Sequence, residues 1–167
     1  MKSKNYYTAF LSPIGFLHLR GTREALTAVF MENHRHQPPR PPDAVNDHAP
    51  FRDAQRELEE FFAGERREFS LTTQAMGTSF QSRVWMALWS IPYGETISYG
   101  ELARVIGHPG AARAVGMASG RNPLSIVIPC HRVIGATGSL TGYGGGLERK
   151  RFLLALEAGR ESINPGM

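Results

Sequence analysis

Apolar and polar residues alternate over the first thirty positions, through "YYTAFL" and "GFLHLR", with "SPIG" between the two runs. A period of two on either side of a Pro-Gly turn predicts a β-hairpin, and "LTAVF" predicts a third strand, so a small antiparallel sheet is expected. The polar, proline-rich "NHRHQPPRPPDAVNDHAP" breaks the alternation and predicts an extended surface loop. Beyond it, "FRDAQRELEEFFAG" spaces Phe51, Leu58, Phe61 and Phe62 near the helical period and ends at Gly64, an expected C-cap.

From Thr78 onward the pattern becomes one of short helices with marked starts. Thr78 is followed three residues later by Gln81, and Ser98 by Glu101; both pairs are capping boxes. The first opens "FQSRVWMALWSIP", whose Val84, Trp85, Leu88, Trp89 and Ile91 form an apolar face expected in the core. The second opens "YGELARVIG", which the turn "GHPG" joins to "AARAVGMASG", a helix-turn-helix candidate. This last helix is built from Ala111, Ala112, Ala114, Gly116, Ala118, Ser119 and Gly120, with Arg113 its only long polar side chain in the first turns. A helix that reads the major groove projects several Arg, Gln or Asn side chains. One stripped to small residues suits a minor groove about 6 Å wide, or equally the close packing of two helices in a core. After Asn122-Pro123, "LSIVIPCHRVIG" is an apolar, β-prone segment, and "TGYGGGLERKRFLLALEAG" gives a glycine-rich loop and an amphipathic helix with Leu153, Leu154, Leu156 and Glu157.

Composition narrows the class. The 167 residues, 41% of them hydrophobic, suffice for one large or two small soluble domains. No apolar run approaches the roughly 18 residues of a membrane span, and "MKSKNYYTAF" lacks the apolar region of a signal peptide, so a cytoplasmic protein is expected. The net charge is +4. Residues 1–77 hold ten Lys/Arg against ten Asp/Glu, whereas 78–167 hold nine Lys/Arg against five Glu and no Asp. The excess therefore lies in the second half, where it suits a polyanionic partner and is also found on ordinary surfaces.

Cys130 is the only cysteine, which excludes an internal disulfide and a Cys-rich zinc site. Pro129 donates no backbone hydrogen bond and interrupts pairing where the thiol is displayed. A thiol reacts as thiolate and needs a neighbouring cation or base to lower a pKa of about 8.5. His131 is adjacent, although neighbours on a strand point to opposite faces, so its help requires a bend. Glu157 is a candidate to orient His131 in a Cys-His-Glu relay, one glutamate among several. The glycines of the loop lack the Gly-Lys-Ser/Thr ending of a phosphate loop and suit close approach of backbone amides to a planar ligand. His34, His36 and His48 lack a cysteine or paired carboxylates nearby and are expected to be solvent-exposed, with no metal.

Taken together, "ISYGELA", "AARAVG", "NP", "IPCHRVIG" and "GSLTGYGGGLERKRFLLALE" resemble, in order and over residues of about 80 to 158, the O6-alkylguanine-DNA alkyltransferases, also called methylated-DNA-protein-cysteine methyltransferases. The resemblance implies an α/β fold. A small N-terminal ribonuclease-H-like α/β domain (1–77) would precede a mainly helical C-terminal domain (78–167) with a winged helix-turn-helix. It implies a single-turnover repair protein that binds double-stranded DNA in the minor groove, flips the alkylated guanine and takes the alkyl group onto Cys130. O4-alkylthymine is a further candidate substrate. By the same resemblance His131, held by Glu157, draws the thiol proton through a water. Tyr99 assists flipping and gives a proton to guanine N3, and Arg113 enters the vacated stack. Ala112, Ala114, Gly116 and Ser119 lie along the DNA, and Asn122 ties the recognition helix to the active-site segment. Cys130, Val133, Tyr143 and Gly144 hold the base through their backbone or loop. Some relatives offer a serine hydroxyl where this chain has Gly144, and some hold a structural zinc with cysteines absent here. No cofactor, membrane or metal is expected, and a monomer is, with clustering along DNA left open. The rival readings are a non-catalytic alkylguanine sensor, which Cys130 argues against, a Cys-His hydrolase of acyl groups, and a transcription regulator with a palindromic operator.

Overall fold

A computed structural model describes residues 2–159. The expected hairpin is formed by β1 (Tyr6–Ser12) and β2 (Gly15–Gly21), which pair antiparallel from Tyr6 opposite Gly21 to Ser12 opposite Gly15. β3 (Leu26–Met31) adds antiparallel to β2. A two-residue strand, β4 (Val45–Asn46), joins the other edge parallel to β1, giving the order β3-β2-β1-β4. Leu17, Leu19, Val29 and Met31 are wholly buried on this sheet. They share one core with α1 (Arg52–Phe62), whose buried Ala54, Glu57, Leu58 and Phe61 recur at the i, i+3, i+4, i+7 spacing of a core-facing helix. Gly64 follows with φ of 76° and ends the helix as expected.

Both capping boxes form. Thr78 and Gln81 open α2 (Ser79–Trp89), and Ser98 and Glu101 open α3 (Tyr99–Val105). The turn after α3 leads to α4 (Ala112–Gly120). Two contacts hold this helix-turn-helix in place: the Trp85 indole N–H donates to the Ala118 carbonyl at 2.8 Å, and Arg83 donates to the Ile106 carbonyl at 2.7 Å. Strands β5 (Ile97–Ser98) and β6 (Val133–Ile134) pair parallel beside it, and α5 (Leu147–Glu157) closes the described chain. The expected C-terminal span runs past residue 159, so residues 160–167 lie outside the described residues.

Four expectations need correction. The segment around Cys130 is not a strand. Ile126 turns the chain with φ of 72°, and Cys130–Arg132 form one turn of 3-10 helix. The turn is fastened by the Asn122 side chain, which donates to the Ile128 carbonyl at 2.8 Å and accepts from the Leu124 N–H at 3.0 Å; these bonds hold a β-branched residue in a left-handed conformation it rarely adopts. Trp89, placed in the core by periodicity, is 42% exposed because it ends α2. The buried face of α5 carries Lys150 and Glu157 together with Phe152 and Leu153, while Leu154 and Leu156 are half-buried. His34 is half-buried, packed edge-on against Phe30, whereas His36 and His48 are exposed.

The two halves share hydrogen bonds at the site itself. Val29 on β3 donates to the Pro123 carbonyl and accepts from Ser125, extending the pairing of the N-terminal sheet into the active-site segment. Arg35 donates its N–H to the Gly144 carbonyl at 2.8 Å. The Arg149 side chain, reaching back from α5, donates to the carbonyls of Ile14, Glu32 and Gly145. Gly145 is required there, since a Cβ on it would lie 2.2 Å from the Met31 sulfur.

Candidate active site

The 3-10 turn at Cys130–Arg132 separates the thiol from the imidazole. Cys130 lines an open cavity of about 180 Å³ together with Tyr99, Gly116, Ser119, Asn122, Tyr143 and Gly144. Pockets that enclose drug-sized ligands run to roughly 300–1,000 Å³, so this one suits a single planar ring system. Tyr99 comes from the start of α3 and packs against Gly116 of α4, where a Cβ would stand 3.6 Å from its ring. Its hydroxyl donates to the Thr141 carbonyl at 2.9 Å. Lys150, wholly buried on α5, donates to the same carbonyl at 3.2 Å and to that of Gly142 at 3.3 Å, and so holds the glycine-rich loop over the thiol.

Burial pushes the Cys130 thiol above its ordinary pKa, and the Asn122 side chain, the Lys150 ammonium and the Tyr143 hydroxyl pull it part of the way back. The expectation of an outright lowered pKa is thus corrected: the thiol rests protonated near neutrality, and Lys150, rather than His131, is the cation that favours its anion. The buried Tyr143 hydroxyl faces the Cys130 sulfur and meets no hydrogen-bond partner at bonding distance among the described residues. Its own pKa is driven far up by burial and by the Cys130 thiolate, so it stays a donor.

On the other side of the turn His131 is wholly buried. Its Nε2 lies 2.9 Å from Glu157 Oε1. Arg132 donates its Nε to both Glu157 oxygens at 3.0 Å and its Nη1 to the Ile91 carbonyl at 2.6 Å. Burial opposes the Glu157 charge, but His131 and Arg132 outweigh it and hold the carboxyl down at about 2. Burial lowers the His131 pKa despite Glu157. The imidazole is therefore neutral at pH 7, donates its Nε2 proton to Glu157 and leaves Nδ1 as an acceptor. That Nδ1 is buried and unpartnered among the described residues.

Of the site residues that the resemblance implies, seven share the cavity, Tyr99, Gly116, Ser119, Asn122, Cys130, Tyr143 and Gly144, while His131 and Glu157 lie behind it. Val133 is wholly buried, does not line the cavity and donates its N–H to the Cys130 carbonyl. Ala112, Arg113 and Ala114 stand at the start of α4, with Arg113 and Ala114 exposed. Sequence reasoning missed Lys150, Arg132 and Arg35, and took His34 and His36, which with Arg35 complete the cavity wall, for solvent-exposed loop residues. A signal existed for Lys150, which lies one and two helical turns before Leu153 and Glu157 on a single face. None existed for His34.

Two family models match, the 6-O-methylguanine DNA methyltransferase ribonuclease-like domain over residues 5–75 and the DNA binding domain of the same family over residues 79–159. The methylated-DNA–protein-cysteine methyltransferase of Mycolicibacterium paratuberculosis is 55% identical over 151 residues, covering 90% of this chain and 91% of that one. The chain belongs to the 6-O-methylguanine DNA methyltransferase family. The methyltransferase of this family from Methanosarcina acetivorans is 51% identical, covering 91% of this chain and 97% of its own. The crystal structure of Mycobacterium tuberculosis OGT in complex with DNA superposes with a TM-score of 0.89 at 50% identity, over 95% of this chain and 96% of that one. This methyltransferase thus matches its relatives along nearly their whole length. Among the described residues no helix is long and apolar enough to cross a membrane.

Proposed function

We propose that this methyltransferase repairs O6-alkylguanine in double-stranded DNA by moving the alkyl group to its own Cys130. The observation that carries the reading is one thiol set in a ring-sized cavity with a neutral, carboxylate-held imidazole on the next residue. Guanine O6 lies inside the stacked duplex, so the base must be turned out, at a cost of a few kcal/mol that is least for a weakly paired base. The small residues of α4, Ala112, Ala114, Gly116 and Ser119, let that helix lie in the minor groove, and exposed Arg113 fills the gap in the stack.

In the cavity the sulfur attacks the alkyl carbon, the S–C bond forms as the C–O6 bond breaks, and the electron pair leaves with guanine. The thiol proton passes to His131 Nδ1 through a water, and ionised Glu157 stabilises the imidazolium. Lys150 stabilises the developing thiolate, and Tyr99 protonates the departing base. The thioether is not hydrolysed, so each chain acts once. A duplex bearing one O6-methylguanine with a labelled methyl group tests this. Label should reach the protein to at most one equivalent per chain, with none in Cys130→Ala, whereas steady release of label to solution would mean a hydrolase.

A further inference from the structure

Part of the cavity wall comes from the N-terminal domain. His34 lies just beyond β3, after a turn in which Asn33 has φ of 55°. Its ring is fixed twice, edge-on to Phe30 with centroids 5.2 Å apart, and by Nδ1, which accepts from the Met31 N–H at 3.4 Å. With Nδ1 the acceptor, the neutral ring carries its proton on Nε2. Burial, helped by Arg149 and His36, holds the pKa at about 4, so the ring is neutral at pH 7. Its Nδ1 contact is the only hydrogen bond of this ring among the described residues, which leaves Nε2–H a donor without an acceptor.

The position of Nε2 is informative. A Cβ built on Gly144 would lie 2.5 Å from it and 3.1 Å from Cδ2. The imidazole therefore occupies the space of a side chain at residue 144, in a loop that itself lines the cavity with Cys130. Gly144 has an ordinary backbone conformation, without a positive φ, so its missing side chain answers to the imidazole rather than to strain. The Arg35 N–H, bonded to the Gly144 carbonyl at 2.8 Å, holds the two segments in register.

We infer that His34 is a specificity-determining residue of the base pocket, a neutral donor delivered by the N-terminal domain whose Nε2–H bonds a ring acceptor of the everted purine. This rests on the reading that the cavity takes O6-alkylguanine. It also gives the N-terminal domain a part in substrate recognition beyond supporting the fold.

The test is the single-turnover rate of methyl transfer from an O6-methylguanine duplex to the full chain and to His34→Ala, His34→Leu, Gly144→Ser and the His34→Ala/Gly144→Ser double variant. His34→Leu should transfer roughly tenfold more slowly, as for one lost hydrogen bond to the reacting base, with affinity for an unmodified duplex unchanged. Gly144→Ser alone should be slow because its side chain meets the imidazole. The double variant, with a hydroxyl standing where Nε2 stood, should recover most of the wild-type rate. A purely structural role for His34 would leave the double variant no faster than His34→Ala, and that result, or a wild-type rate in His34→Leu, overturns the inference. A wild-type chain that takes no methyl overturns it together with the reading beneath it, and this failure is recognised in the unmutated protein.

Discussion

Cys130 and His131 are neighbours in sequence, yet one faces an open, ring-sized cavity and the other a sealed cluster in which Arg132, Glu157 and the Ile91 carbonyl satisfy one another. On the cavity side the Tyr143 hydroxyl is buried without a partner, and the His34 Nε2, which solvent reaches, has no acceptor among the described residues. On the cluster side the Arg132 and Glu157 charges are paired, and the unpartnered buried atom is the neutral His131 Nδ1. Unsatisfied groups cost stability unless a ligand completes them. The cavity side is thus built for a substrate, and the cluster for holding the base of the reaction in one tautomer.

That contrast predicts that cavity-side substitutions change transfer while leaving the fold intact, and that cluster-side substitutions damage both. The largest effect belongs to Cys130→Ala, which should abolish transfer yet bind an alkylated duplex and unfold at the wild-type temperature; transfer in this variant would place the acceptor elsewhere. His131→Ala should slow transfer by about 10²–10⁴, the usual contribution of a general base, by removing the proton acceptor and not by moving the thiol pKa. A wild-type rate in stopped-flow quench would break the relay.

Glu157→Gln should lose about 3–5 kcal/mol of stability in urea titration, since it leaves the buried Arg132 charge without its partner. The same carboxylate sets a pH signature. Its folded pKa of about 2 lies below the ordinary 4.5, so its stabilisation is complete above that ordinary value and fades as pH falls from about 4.5 towards about 2. The difference in stability between wild type and Glu157→Gln should shrink over that window. The smallest effect is that of Arg113→Ala, on neither side of the turn, which should weaken binding to an alkylated duplex about tenfold, or 1.4 kcal/mol, without changing the rate for O6-methylguanine as a free base.

Legibility in the sequence followed the range of the interactions. The hairpin, α1 and both capped helices were readable because their signals lie within a few residues: a period of two about "SPIG", a period of 3.6 over residues 52–62, and Ser or Thr three residues before Gln or Glu. The strands β4, β5 and β6 have two residues each and carry no period at all. The β-branched run before Cys130 looked like a strand, because the turn at Ile126 depends on the Asn122 side chain. Cys130 stood out as the only cysteine, set between Pro129 and His131, and Tyr99 and Asn122 through the family resemblance, whereas His34 reaches the cavity only through tertiary packing. Arg132 carried no signal as a partner of Glu157, since their pairing spans 25 residues.

The central claim, that Cys130 is the atom that keeps the alkyl group, is tested most directly by intact mass and peptide mapping after incubation with a duplex containing one O6-methylguanine. The expected result is a gain of one methyl group per chain, confined to the peptide bearing Cys130 and matched mole for mole by guanine restored in the DNA. A methyl group mapped to any other residue, or an unchanged mass despite tight binding to the lesion, would contradict it.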